Sequence, residues 1–130
     1  MDEDRLLLLV EDDAAFARTL KRSFERRGYR VLHAASAEEA QELLTGPLPQ
    51  YAVMDLKLAG NASGLNCVQM LHQLNPEALI VVLTGYASIA TAVEAVKLGA
   101  CHYLAKPSNT DDIEAAFGRV EGRTDVEVSN

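Results

Sequence analysis

The sequence predicts an α/β domain built on an open parallel sheet, and three observations predict it. Short strand-type runs recur along the 130 residues, namely LLLLV, RVLHA, YAVM, ALIVVL and CHYL. Stretches with helical spacing lie between them, which makes five β/α units. LLLLV and ALIVVL are apolar without alternation, as strands covered on both faces are. Helices between such strands imply a parallel sheet with right-handed crossovers.

Each helix has its own start or stop signal. The first is predicted from Ala14 to Arg27, with Phe16, Leu20 and Phe24 on one stripe and Gly28 placed for a left-handed stop. Ser36 followed by Glu39 forms a capping box for the second, which ends before Gly46-Pro47. Leu65 to Leu74 reads as a third helix stopped by Asn75-Pro76, and Ile89 to Leu98 as a fourth stopped by Gly99. Thr110 opens the fifth, with Asp111 and Asp112 in its first turn.

Composition excludes several classes of function. At 48% hydrophobic the chain can bury a core on both faces of a sheet. No apolar stretch approaches the roughly 18 to 20 residues of a membrane span, and MDEDR lacks the basic region of a signal peptide, so the expected location is the cytoplasm. Cys67 and Cys101 have no metal-ligand spacing and read as reduced, buried thiols. A net charge of −7 argues against a nucleic-acid surface. Between Arg18 and Arg30, however, six basic residues meet one acid, Glu25. Arg18, Lys21, Arg22, Arg26 and Arg27 read first as a solvated face; the sharper reading is a docking patch for an acidic partner. His33, His72 and His102 show no ligand spacing and read as ordinary histidines.

Parallel sheets bind ligands beyond the carboxyl ends of their strands. Glu11, Asp12 and Asp13 follow the first strand, Asp55 ends the third, Thr84 ends the fourth, and Lys106-Pro107 follows the fifth. In isolation the acidic triplet reads equally as a solvated turn with an N-cap. Converging with Asp55 it becomes a carboxylate cluster, which raises its own pKa values unless a cation intervenes. Mg²⁺ is the expected cation, a hard ion that takes a few carboxylates and completes its shell with waters or a phosphoryl oxygen.

The set VEDD, MDL, LTG and AKP, in this order and spacing, resembles the receiver domain of bacterial two-component response regulators from about Leu6 to Val120. The segment TGYASIATAVEAVKLGACHYLAKP is most similar to the global redox-responding regulators of proteobacteria, which join a receiver to a helix-turn-helix domain. The resemblance implies a flavodoxin-like, doubly wound five-stranded parallel sheet in the order 2-1-3-4-5, with five helices on both faces. It implies Asp55 as phosphoacceptor, Asp12 as direct Mg²⁺ ligand, Glu11 as a ligand through water, and the main-chain carbonyl of Lys57 as a further ligand. Thr84 and Lys106 would contact the phosphoryl group, with Pro107 as a cis proline aiming Lys106, and Tyr103 would be the aromatic switch. The expected function is to take a phosphoryl group from a sensor histidine kinase and switch an output face made of the fourth helix, fifth strand and fifth helix.

That chemistry suits these residue types. A carboxylate attacking a phosphoryl group needs positive charge where the phosphoryl oxygens gather it, and Mg²⁺ and Lys106 supply it. The Thr84 hydroxyl can then move toward the phosphoryl group, and Tyr103 can fill the space vacated. Lys57 and Tyr86 stand at the mouth of the site and have neither acid nor amide to orient water, so slow autodephosphorylation is expected and turnover catalysis is not.

One stretch departs from the family pattern. DLKLAGNASG has Ala59 where a Pro is usual and Gly64 one residue late, which bears on Mg²⁺ affinity. A haloacid-dehalogenase-type phosphatase would want an Asp where Lys57 stands. The remaining alternative is a phosphorylation-independent interaction module. Residues 1–120 are expected to form the receiver and 121–130 the start of a linker, with DNA bound through an effector domain outside this sequence rather than by the receiver. The expected partners are the kinase and a second copy at the output face, without a membrane.

Overall fold

The structure, a computed structural model, describes residues 5–56, 61–85, 89–106 and 108–121. Five strands and five helices alternate: β1 (Arg5–Val10), α1 (Ala14–Arg26), β2 (Tyr29–Ala34), α2 (Ala37–Leu43), β3 (Tyr51–Asp55), α3 (Asn61–Leu74), β4 (Leu79–Thr84), α4 (Ile89–Lys97), β5 (His102–Ala105) and α5 (Thr110–Glu121). The strands form one sheet in the order β2-β1-β3-β4-β5, with every neighbouring pair parallel. Fold class and strand order match the expectation.

The sheet divides the core in two because successive side chains point to opposite faces. Leu7, Leu9, Val31, Val53, Val81 and Leu83 face α1 and α5, where they meet Leu20, Phe24, Ile113 and Phe117. Leu8, Val10, Ala52, Met54, Ile80 and Val82 face α2, α3 and α4, where they meet Ala40, Val68, Leu71, Ala92 and Ala95. Residues 7 to 10 are fully buried, and burial of each such side chain contributes about 1.5–3 kcal/mol, so this run anchors both halves.

The local signals act largely as read. Gly28, at φ +94°, and Gly99, at φ +128°, adopt the left-handed backbone that stops α1 and α4. At α2 the Ser36 Oγ accepts from the Glu39 N–H at 3.2 Å, and Glu39 Oε1 accepts from the Ala35 N–H at 2.7 Å, so the capping box closes one residue further back than its usual form. One start differs. α3 begins at Asn61 rather than Leu65, and Gly64 is not a loop glycine. A Cβ there would lie 2.9 Å from Leu56 Cα and 3.2 Å from the Asp55 carbonyl oxygen, so its bare Cα lets the helix seat against the end of β3. α5 opens at Thr110 with Asp111 and Asp112 in its first turn, as read, and the residue before it, Asn109, supplies the cap, its Oδ1 accepting from the Asp112 N–H at 2.8 Å.

The first and last helices are tied together. Arg27, just past α1, reaches Asp111 at 2.6 Å and Glu114 at 2.7 Å, and the Tyr29 hydroxyl donates to Glu114 at 3.0 Å. Beneath this, Phe24, Tyr29, Tyr51 and Phe117 pack ring to ring, the shortest separation being 5.0 Å between Tyr51 and Phe117. No helix among the described residues is long and apolar enough to cross a membrane.

Candidate phosphoryl-transfer site

Parallel pairing brings the unusual residues to one edge. Asp55 is the last residue of β3 and pairs with Leu83, one before Thr84. Lys106 directly follows β5, and its N–H donates to the Thr84 carbonyl at 2.9 Å. Glu11 directly follows β1, where its N–H donates to the Ala34 carbonyl at 3.0 Å. The Leu56 N–H donates to the Leu83 carbonyl at 3.0 Å, extending the ladder past Asp55. The backbone beneath three of the side chains is thereby fixed by the sheet.

Oxygens of Glu11, Asp12 and Asp55 all lie within 4.8 Å of one another. Glu11 is 1% and Asp55 2% exposed, whereas Asp12 stands open at the mouth. The Lys106 ammonium enters from the side, donating to Asp55 Oδ2 at 2.9 Å and to Glu11 Oε2 at 3.2 Å. Its nitrogen is also 3.0 Å from Glu11 Oε1, so this buried oxygen has a close charge but no hydrogen-bond partner. The pairing is lopsided. Burial raises the Glu11 pKa, and the Asp13 N–H and Lys106 only partly offset it. Burial works against the Lys106 ammonium as well, but its bonds to Asp55 and Glu11 outweigh that and raise its pKa. The lysine keeps its charge firmly, and Glu11 is the member left short of positive charge.

This donor set fits a hard divalent cation. It is all carboxylate, two members are out of water, and one buried oxygen lacks a hydrogen bond.

The acidic triplet splits its duties. Asp13 turns away as the N-cap of α1, its Oδ1 accepting from the Phe16 N–H at 3.1 Å, while its own N–H donates to Glu11 Oε2 at 3.0 Å. Thr84 is 2% exposed, and its hydroxyl donates to the Gly85 carbonyl at 3.1 Å. Tyr103 is half-buried on β5 opposite Val82 and packs on the α2–α4 side of the sheet. Lys57, Ala59, Tyr86 and Pro107 lie outside the described residues, as do residues 122–130.

Three residues at the site escaped the sequence reading. His33 Nε2 is 2.8 Å from the Glu11 carbonyl oxygen, a contact visible only once the register sets His33 opposite Leu9. The Ser108 hydroxyl donates to the Ala105 carbonyl at 2.7 Å across the turn that carries Lys106. Phe16, expected on the core stripe of α1, is half-buried, and the Lys106 ammonium is 5.1 Å from its ring centroid. A groove of about 350 Å³ runs beside it, between α1 and the start of α5.

Comparison with known proteins returns the same architecture. The family model described as the response regulator receiver domain matches residues 7–118. The photosynthetic apparatus regulatory protein RegA of Rhodobacter capsulatus is 47% identical over 117 residues, covering 90% of this chain and 63% of the relative. The acid tolerance regulatory protein ActR of Sinorhizobium medicae is 50% identical over 115 residues, covering 88% and 58%. The chain thus spans about three fifths of the length of these relatives. Among solved structures, a response regulator from Burkholderia pseudomallei, described with a phosphorylated aspartic acid, calcium ion and citrate, is 46% identical with a TM-score of 0.82, covering 98% of this chain and 75% of that one. A CheY-like receiver domain from Methanospirillum hungatei is 28% identical with a TM-score of 0.81, covering 98% of both.

Proposed function

The chain belongs to the response regulator receiver domain family, and from that premise we propose that Asp55 is its phosphoacceptor. The observation that carries this reading is the ammonium of Lys106 placed between Asp55 and Glu11 at a carboxylate cluster, at the carboxyl edge of the sheet. An Asp55 carboxylate oxygen attacks the phosphorus of a phosphohistidine or a small acyl phosphate. The Oδ–P bond forms, the donor's bond to phosphorus breaks, and the leaving group takes the electron pair. Glu11 (through water), Asp12, Asp55 and the Lys57 main-chain carbonyl would hold Mg²⁺, which when bound supplies positive charge to the phosphoryl oxygens.

The remaining roles belong to the chain. Lys106 leaves Asp55 Oδ2 for a phosphoryl oxygen, a short move for a flexible ammonium already in the cleft. The Thr84 hydroxyl exchanges the Gly85 carbonyl for the same group, and Tyr103 turns inward behind it. The output face is α4, β5 and α5, where Val93 and Val96 are exposed apolar residues suited to a second copy. A sensor histidine kinase is the donor, approached through basic α1. Residues 1–120 form the receiver and 121–130 begin a linker. The whole protein works in the cytoplasm as a transcriptional regulator through an effector domain, and the receiver itself contacts neither DNA nor membrane. The aspartyl phosphate is long-lived, since neither Lys57, two residues after Asp55, nor Tyr86, two after Thr84, carries an acid or amide to orient the attacking water, so the domain is a self-modifying acceptor rather than a turnover enzyme.

Mass spectrometry after incubation with acetyl phosphate and Mg²⁺ tests the assignment. One added phosphoryl group mapping to Asp55, and none on Asp55→Asn, is expected. An unmodified parent chain would leave a phosphorylation-independent interaction module as the better reading.

A further inference from the structure

Phe16 begins the apolar stripe of α1, yet it behaves unlike the residues that continue it. Leu20 and Phe24 are buried in the core, while Phe16 stays half-exposed with the Lys106 ammonium 5.1 Å from its ring centroid. Its backbone is held in place, because its N–H is the one capped by Asp13 at 3.1 Å. Leucine would continue the stripe equally well. What a phenyl ring adds is a negative face toward a cation.

We propose that Phe16 is a positioning residue for Lys106, its ring holding the ammonium in the cleft between Glu11 and Asp55 without neutralising it. The inference rests on the phosphoacceptor reading above. The two carboxylates attract Lys106 and also cancel its charge, and Asp55 loses its carboxylate charge when it becomes an acyl phosphate, which weakens its hold on Lys106. A neutral ring competes for neither the charge nor the phosphoryl oxygens. Its attraction is unchanged before and after transfer, so it keeps Lys106 poised while the lysine's partners change. At a partly exposed site such a contact changes an equilibrium by about two- to fivefold.

Phe16→Leu and Phe16→Tyr separate this role from simple packing. Phe16→Leu should be phosphorylated by acetyl phosphate about two- to fivefold more slowly at saturating Mg²⁺, with unchanged Mg²⁺ affinity by calorimetry, and Phe16→Tyr should match the parent. Independently of phosphate, NMR of ¹³C-lysine-labelled protein should show the Lys106 ε-methylene shifted upfield by the ring in the parent and in Phe16→Tyr. Equal labelling of Phe16→Leu and the parent, or an unshifted ε-methylene in the parent, overturns the proposal. A parent chain that takes no phosphoryl group sinks the phosphoacceptor reading instead, and the ring-current shift still decides whether Phe16 holds Lys106. The parent and tyrosine spectra also decide it should Phe16→Leu fold poorly.

Discussion

Lys106 is bonded to Asp55 at 2.9 Å, so the proposed phosphoacceptor sits in an ion pair before any phosphoryl group arrives. Removing the lysine leaves Glu11 and Asp55 facing each other out of water. Lys106→Ala should abolish labelling and destabilise the metal-free protein. Breaking a fully buried pair costs about 3–5 kcal/mol, and with 27% of the Lys106 side chain in solvent about 1–3 kcal/mol is expected. Urea unfolding in chelator measures it, and parent-like stability would refute it.

Metal binding should report on the same cluster. Mg²⁺ would fill a site that the unfolded chain lacks, so saturating the proposed site at about 100 times the dissociation constant should stabilise the parent by about 2.7 kcal/mol. Asp12→Ala should lose both this gain and the Mg²⁺ dependence of labelling. Thermal melts with Mg²⁺ and with chelator check it, and an equal Mg²⁺ response in the variant would remove Asp12 from the ligand set.

The proposed switch puts Thr84 and Tyr103 downstream of the chemistry. Thr84→Ala and Tyr103→Ala should take up phosphate nearly as the parent does, yet fail to transmit it. Hydrogen exchange along α4 before and after labelling is the readout. A normal phosphorylation-dependent change in both variants would contradict the switch.

Two glycines should respond in opposite directions. Gly64→Ala drives a Cβ into the backbone of Leu56 and should cost about 1–3 kcal/mol. Gly118 is exposed in α5 with nothing within 4 Å of an added Cβ, so Gly118→Ala should stabilise by about 0.5–1 kcal/mol. Denaturant midpoints of the two variants, measured together, test both signs.

Burial pushes the Cys67 thiol up to about 11 from an ordinary 9.0, and the residue is 1% exposed. It should resist iodoacetamide at pH 8 until the chain unfolds. The folded state binds this proton more tightly, so its contribution to stability is complete below pH 9 and falls as pH rises from about 9 toward about 11. Native-state alkylation of Cys67 by peptide mapping would contradict the burial.

The meeting of these residues at one sheet edge was legible because strand ends are marked by abrupt chemistry: an apolar run stopping at Glu11, or Lys106 after CHYL, admits few readings. Helix ends marked by a required conformation, such as Gly28 and Gly99, were equally readable. Asn61 to Gly64 misled because Asn, Ser and Gly ordinarily signal a loop, and only the packed position of α3 reveals that Gly64 serves a close approach. Asp13 and Asp12 cannot be told apart by type; one backbone turn makes the first a cap and leaves the second at the mouth of the cluster. Phe16 and His33 act through neighbours 90 and 22 residues away, which no local pattern encodes.

The bond from Arg27 to Glu114 joins residues 87 apart, and Phe117 closes over Phe24 and Tyr51 from the last helix. A ribosome delivers the chain from its amino end, so the face of Leu7, Leu9 and Phe24 remains uncovered until Ile113, Ala116 and Phe117 leave the exit tunnel. Asp55 emerges long before β4, β5 and Lys106 complete the cleft around it. Ribosome-arrested chains should accordingly be open to protease while α5 is still inside the tunnel and become resistant once Glu121 has cleared it.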